Sequence, residues 1–323
     1  MNDIPEMTYR TLGRTGLRVS RVGLGTGGPS RLGLSGGGGD ELIERLVRKA
    51  VDLGINLIDT APGYGTESGL GKALRGVREP VFVATKVWCY EDEDVDDSGK
   101  QPIVDPGHVI SSVERSLQAL RRETIDVLQL HGVPPSGLAA MLENLVPAMV
   151  KLREQGKIRF LGITEHPGVD HRQEMAMRAC ESDLFDTLMI QYGIFDQVAE
   201  RCTFGLAEEH GVGIFGMCAA RGAWTDAEAL RRVLEQVDPG GESSLEFLLR
   251  GSVVSYADAA YRFAAAREEI PCLLVGTGNP DHLVESTVAI LCESLPAAHV
   301  QMLEERFGDL DGAVLWPEYQ QKG

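Results

Sequence analysis

Short apolar runs rich in β-branched residues alternate along this chain with longer segments whose apolar positions recur every three or four residues. Val19–Leu24, Ile55–Ile58, Val81–Thr85, Ile125–Leu130, Ile158–Ile163, Thr187–Gln191, Val212–Met217 and Cys272–Val275 predict buried strands. Between them, Leu42, Ile43, Leu46, Val47, Ala50 and Val51 predict a helix behind Asp40 as its N-cap. His108–Leu120, Leu138–Glu154, Asp170–Cys180, Glu200–His210 and Pro280–Leu291 have the same helical spacing, and Pro147 should kink or restart the second of these. Near-continuous apolar strands separated by helices imply a parallel sheet covered on its outer face. Eight such units closing on themselves give an α/β (β/α)8 TIM barrel, so residues 1–323 are expected as a single domain. Gly13-Arg14-Thr15-Gly16 lies between two β-prone stretches and predicts an N-terminal β-hairpin plugging one end. The stretch Gly222–Ser255 is irregular, with helical pieces at Ala227–Val237 and Leu245–Leu249. Gly36–Gly39 predicts a flexible loop, and Leu295–Tyr319 a C-terminal helical tail with an irregular end.

Composition narrows the partners. Among 323 residues, 31 Lys plus Arg face 48 Asp plus Glu, a formal charge of −17. Nucleic acids and anionic membranes call for basic surface, so neither is an expected partner. A polyanionic cofactor needs only a local positive pocket and stays open. Cys89, Cys180, Cys202, Cys218, Cys272 and Cys292 are scattered with no C-x-x-C pair, which predicts reduced thiols used as small core residues. The N-terminus has no basic region followed by an apolar run, and no apolar stretch approaches the ~20 residues of a membrane helix. A cytoplasmic location is therefore expected.

Two motifs fail on context. Gly23-Leu24-Gly25-Thr26-Gly27-Gly28 satisfies G-x-G-x-x-G, yet a dinucleotide fingerprint opens directly into a helix, and here Pro29 through Gly39 intervene. Gly25 and Thr26 are instead expected to touch a cofactor from a barrel strand end. Gly33-Leu34-Ser35-Gly36-Gly37 matches G-x-S-x-G but lies in a glycine-rich loop, away from any strand-to-helix elbow.

Residues at the C-terminal ends of barrel strands converge on one mouth. There the chain places Asp59, then Tyr64 on the following loop, Lys86 and His131: four titratable side chains of four types at three consecutive strand ends. The set suggests proton delivery beside a carbonyl. A tyrosine is a reluctant acid near its ordinary pKa of about 10, and a nearby ammonium favours the phenolate. Lys86, held charged by Asp59, is expected to lower the Tyr64 pKa, with His131 directing the proton to the substrate oxygen.

The run Gly54-x-Asn56-x-x-Asp59-Thr60-Ala61-x5-Glu67-x2-Leu70-Gly71 closely resembles the aldo-keto reductase signature. Asp59, Tyr64, Lys86 and His131 match that family's tetrad in order and spacing, and Tyr9-Arg10-x-Leu12-Gly13-Arg14-Thr15-Gly16-Leu17 and Gly156-Lys157-Ile158-Arg159 are also similar. The resemblance implies a nicotinamide cofactor across the barrel mouth, with hydride passing to the carbonyl carbon of a small-molecule aldehyde or ketone while Tyr64 protonates the oxygen. It further implies cofactor contacts from Gly25, Thr26, Asp59, Thr164, Glu165, Gln191, Met217, Arg221, Gly276, Thr277, His282 and Glu285. Five of these depart from the family pattern. Thr164-Glu165 stand where members have Ser-Asn, and an ionised Glu165 accepts hydrogen bonds without donating. Met217 stands where a tyrosine stacks on the nicotinamide, and Gly276 and His282 stand where NADP-preferring members have Lys and Arg. Thus NADP(H) is favoured by resemblance while NAD(H) stays open.

Asn279, an N-cap before Pro280, suits a helix start that receives an anion. Trp88 and Tyr90 are candidate substrate-pocket residues, as are Trp224 and Trp316. The run Glu91–Asp97 reads as a solvated loop, and His166 and His171 lack diagnostic ligand spacing, so no metal is expected. Two other functions stay open. One is a cofactor-binding regulatory or accessory subunit with little turnover, and the other a Schiff-base role for Lys86.

Overall fold

The computed structural model describes residues 4–92, 95–238 and 245–316. Strands β1 (Tyr9–Thr11) and β2 (Arg18–Ser20) form the antiparallel hairpin. Eight parallel strands follow: β3 (Val22–Gly25), β4 (Leu57–Asp59), β5 (Phe82–Trp88), β6 (Ile125–Val133), β7 (Ile158–Glu165), β8 (Thr187–Gln191), β9 (Gly213–Met217) and β10 (Cys272–Gly276). They close into a barrel in which β10 pairs with both β3 and β9. The run Val19–Leu24, expected as one strand, is two. Arg21 separates hairpin strand β2 from barrel strand β3, and its guanidinium donates to the carbonyls of Ile270 and Ala265.

The helices largely follow the sequence spacing. These are α1 (Asp40–Asp52), α2 (Glu67–Ala73), α3 (Pro106–Leu120), α4 (Leu138–Asn144), α5 (Val146–Glu154), α6 (Glu174–Glu181), α7 (Val198–Glu209), α8 (Ala227–Val237), α9 (Tyr256–Ala265), α10 (Pro280–Leu291) and α11 (Ala297–Phe307). The break between α4 and α5 falls at Leu145, where Pro147 starts a new helix in its first turn. Asp40 is the first helical residue rather than the N-cap; Gly39 takes that position, and the Asp40 carboxylate pairs with Lys72 at 2.5 Å. The glycine-rich segment before α1 is partly ordered as a 3-10 turn, Arg31–Gly36. Leu245–Leu249 is likewise a single 3-10 turn, Glu246–Leu249, rather than an α-helix. Of the acidic run, Glu93 and Asp94 lie outside the described residues, as does the expected irregular end from 317 onward.

Period-two alternation sorts the barrel interior into layers. At the floor, Leu57, Ala84, Val127, Met189, Phe215 and Leu274 meet Leu12, Leu17 and Val19 of the hairpin. Each such side chain contributes roughly 1.5–3 kcal/mol on full burial, enough to hold the hairpin as a plug. Two residues further along β4, β5 and β6 the interior turns polar: Leu57 gives way to Asp59, Ala84 to Lys86 and Val127 to Gln129. One more step brings Trp88 and His131 opposite each other in register. A second, larger apolar cluster fills the space between barrel and helices. Among the described residues no helix is long and apolar enough to cross a membrane.

Candidate active site

The strand ends open on a cavity of about 760 Å³, within the range of small-molecule and cofactor sites. At its floor Lys86 and Asp59 form a buried ion pair, with Lys86 Nζ 2.7 and 2.5 Å from the two carboxylate oxygens. The same ammonium donates to the Thr60 carbonyl at 2.9 Å, and Gln129, beside Lys86 in register, donates to Asp59 Oδ1 at 3.1 Å. Burial works against the Lys86 charge, but Asp59 and Tyr64 more than offset it and hold the ammonium above its ordinary pKa. Burial pushes the Asp59 carboxyl upward, opposed by Lys86 and Gln129.

Tyr64 ends the turn Pro62–Tyr64, closed by Gly65 in the left-handed conformation at φ 72°. Beneath this loop three hydroxyls link neighbouring strand ends: Thr66 Oγ1 lies 2.8 Å from Thr26 Oγ1 and 2.9 Å from Thr60 Oγ1. Tyr64 Oη is 3.3 Å from His131 Nε2, and Lys86 Nζ is 5.0 Å from the ring centroid. Gly27 is a contributor that the sequence reading passed over. A Cβ there would stand 2.6 Å from the Tyr64 ring, so the bare backbone is what admits the ring. Its signal lies in the glycine run Gly23–Gly28, which continues past the end of β3.

The electrostatics correct one expectation. The Tyr64 pKa is raised rather than lowered: burial disfavours the phenolate more than Lys86 favours it, and Asp59 cancels part of the lysine's charge. Burial also presses His131 down to about 3, aided by Lys86 and His166, so its imidazole is neutral near pH 7.

Other predicted residues divide. Gly25, Thr164, Glu165, Met217, Arg221, Gly276, Thr277, His282 and Trp88 line the cavity, as does Trp316. Thr26 does not line it, because its hydroxyl is turned to Thr66. Gln191 also lies off the wall: its side chain donates to Asp196 at 2.8 Å and accepts from Trp316 Nε1 at 2.7 Å. Glu285 is exposed on α10, away from the cavity lining. Tyr90 is buried behind Trp88 against Gly137 and takes no part in the wall, and Trp224 stacks on Phe195 in the core. Cys218, expected as a core thiol, is half-buried on the cavity wall at a positive φ of 63°.

A dinucleotide fits this wall. Gly25, Gly28 and Gly276 expose backbone: a Cβ at Gly276 or Gly25 would meet nothing closer than 3.6 Å, and at Gly28 nothing within 4 Å. At the same end Asn279 Oδ1 caps α10 by accepting from Asp281 N at 2.9 Å, presenting a helix start to an anion. On the far wall, a buried oxygen of Glu165 has no partner.

The profile of the Aldo/keto reductase family matches residues 21–306. The chain belongs to this family. Aldo/keto reductases are oxidoreductases that act on small-molecule carbonyl compounds with NAD(P)H. Among its relatives, the chain is 28% identical over 307 residues to the L-galactose dehydrogenase of Arabidopsis thaliana, covering 88% of each chain. It is 31% identical over 217 residues to the NADH-specific methylglyoxal reductase of Escherichia coli, which covers 62% of this chain and 64% of that one. The solved holo form of the aldo-keto reductase AKR11C1 from Bacillus halodurans superposes with a TM-score of 0.70 at 25% identity, covering 92% of this chain and 96% of that one.

Proposed function

We propose that this aldo/keto reductase reduces a small-molecule aldehyde or ketone to the alcohol, with Tyr64 delivering the proton. The observation that carries this reading is the position of the Tyr64 hydroxyl: on the cavity wall, 3.3 Å from a neutral imidazole and beside a buried ammonium. NAD(P)H, when bound, supplies the hydride. The protein's own residues do the rest. Tyr64 holds its proton in the resting site, because burial disfavours the phenolate. As negative charge develops on the substrate oxygen, that proton moves from Oη to the oxygen. The phenolate left behind faces the Lys86 ammonium, whose charge is fixed by Asp59. Neutral His131 contributes one ring N–H or lone pair at the same point and fixes the carbonyl's direction. Trp88 packs edge-on against His131 at 5.5 Å between ring centroids and walls the substrate side.

For the cofactor, Gly25, Gly276, Thr277 and His282 would hold the adenosine end. The only Lys or Arg side chains among the described cavity-lining residues are Lys86, committed to Asp59, and Arg221, stacked 3.7 Å over the Trp316 ring. A 2′-phosphate therefore meets little fixed positive charge, and we read the site as accepting both NADPH and NADH with a margin of less than about tenfold.

The test is titration with NADPH and NADH, followed by a panel of aldehydes and ketones with whichever binds better. Oxidation of bound cofactor by at least one carbonyl compound is expected. Tight cofactor binding with no turnover across the panel would replace this reading with that of an accessory subunit.

A further inference from the structure

Gln129 lies on β6 inside the barrel and is fully buried. In register it stands between Lys86 of β5 and Gly162 of β7, and Gly162 in turn faces Thr187 of β8. Gly162 makes the seat: a Cβ there would stand 2.8 Å from Gln129 Cγ and closer still to Thr187 Oγ1. In this seat Gln129 Nε2 donates to Asp59 Oδ1 at 3.1 Å, the oxygen that also accepts from Lys86 Nζ at 2.7 Å. The other end of the amide, Oε1, is buried with no partner among the described residues. A buried carbonyl oxygen left unpaired costs free energy, and a leucine of similar size would carry no such cost. What the amide adds is the contact to Asp59. It is also a donor that does not titrate, unlike a histidine or a lysine in its place.

The groups around Asp59 leave it dependent on such a donor. Among the described residues Lys86 is its one ion-pair partner. Tyr64, on the loop after β4, keeps its proton, and His131, two residues along β6, is neutral. Burial holds the Cys272 thiol of β10 protonated, and the Glu67 carboxylate of α2 accepts from Thr85 and Ser116. Burial disfavours an ion pair against its neutral form, in which the carboxylate has taken the ammonium proton. A hydrogen bond donated to the carboxylate favours the charged form.

We propose that Gln129 is a positioning residue for proton delivery: it keeps Asp59 a carboxylate turned to Lys86, so that a charged ammonium faces the Tyr64 phenolate as it forms. The inference rests on the reading of Tyr64 as the proton donor to a carbonyl compound. Gln129 does not line the cavity, so it acts through Asp59 and Lys86 rather than on the substrate.

The experiment measures kcat, KM and cofactor Kd from about pH 6 to about pH 9 for the wild type, Gln129→Leu and Gln129→Glu. The probes are 4-nitrobenzaldehyde, phenylglyoxal and glyceraldehyde, with NADPH and with NADH. Gln129→Leu fills the seat without a donor. Its kcat should fall about tenfold to a hundredfold, with KM and cofactor Kd within about threefold of wild type. The solvent deuterium isotope effect on kcat should rise in this variant, because a weaker acid slows proton transfer relative to the other steps. Gln129→Glu separates the role from packing. When protonated, the introduced carboxyl has the shape of the amide and donates to Asp59; when ionised, it sets a second negative charge there. Its kcat should lie within about threefold of wild type at about pH 6 and drop at least about tenfold against wild type by about pH 9. Wild-type kcat in Gln129→Leu, a loss there carried by KM or cofactor Kd instead, or a Gln129→Glu profile parallel to wild type would overturn the proposal and leave the reductase reading intact. If Gln129→Leu does not fold, the Gln129→Glu profile decides alone. Absence of turnover by the wild type with every probe would overturn the reductase reading and this inference with it.

Discussion

The two sides of the barrel mouth treat buried charge in opposite ways. Across β4 and β5, Asp59 and Lys86 are both buried, and each meets its opposite at 2.7 Å or less. Across β7 and β8, Glu165 is equally buried but meets Asp196 and Asp170, and one of its oxygens is unpartnered. The paired side keeps its charges and positions Tyr64 with them. On the other side burial, and then the charge of Asp196, push the Glu165 carboxyl well above the usual carboxylate range. Burial raises both carboxyl groups; the partner decides whether that push is opposed, as by Lys86 at Asp59, or reinforced, as by Asp196 at Glu165.

Removing the partner on the charged side should have the largest effect. Lys86→Met leaves Asp59 buried without a cation and should cost about 3–5 kcal/mol near pH 7 by denaturant unfolding. Turnover should fall by about 10²–10⁴ in the same variant. The stability loss should shrink as pH falls, because Asp59 then takes up a proton.

Next comes the adenosine end. A side chain at Gly276 meets only ordinary contacts, with the Gly25 carbonyl at 3.6 Å, so Gly276→Lys should be accommodated. One charge-assisted contact to the 2′-phosphate should raise NADPH affinity about tenfold, with NADH changed little, as read by paired titrations.

Smaller still is the stability effect on the Glu165 side. Glu165 has a folded-state pKa above its unfolded value, so the folded state binds the extra proton between the two. Stability is therefore lost as pH rises from about 4.3 toward the folded value. Glu165→Gln carries no such penalty and should be more stable than wild type by about 1 kcal/mol at pH 8, and by less at pH 5. His131 gives the smallest effect, a predicted absence. With its pKa pressed to about 3, the imidazole stays neutral in the folded protein, and kcat/KM should show no step near the ordinary histidine value of about 6.5.

Much of this was legible in residue order. Strand alternation placed Asp59, Lys86 and His131 at one end, and Asn279-Pro280 marked the start of α10. Local signals failed where the deciding contact was distant. Helix α9 went unread although Ser255 caps it by accepting from Asp258 N at 3.1 Å. Its Asp258 and Arg262 look like surface charges but pair with each other in the interior at 2.6 Å. Tyr90 resembled a pocket aromatic, and only packing against Gly137 shows it facing the core. The raised pKa values of Tyr64 and Glu165 come first from burial, with Asp59 offsetting Lys86 at the one and Asp196 adding to burial at the other, and these partners come from other segments of the chain.

The central claim, that Tyr64 delivers the proton, is tested most directly by Tyr64→Phe. The variant keeps the ring against Gly27 and removes only the hydroxyl. The expected result is a fall of about 10²–10⁴ in kcat/KM with the cofactor Kd changed by less than about threefold. Turnover within about tenfold of wild type, with cofactor bound equally well, would show that the proton comes from elsewhere.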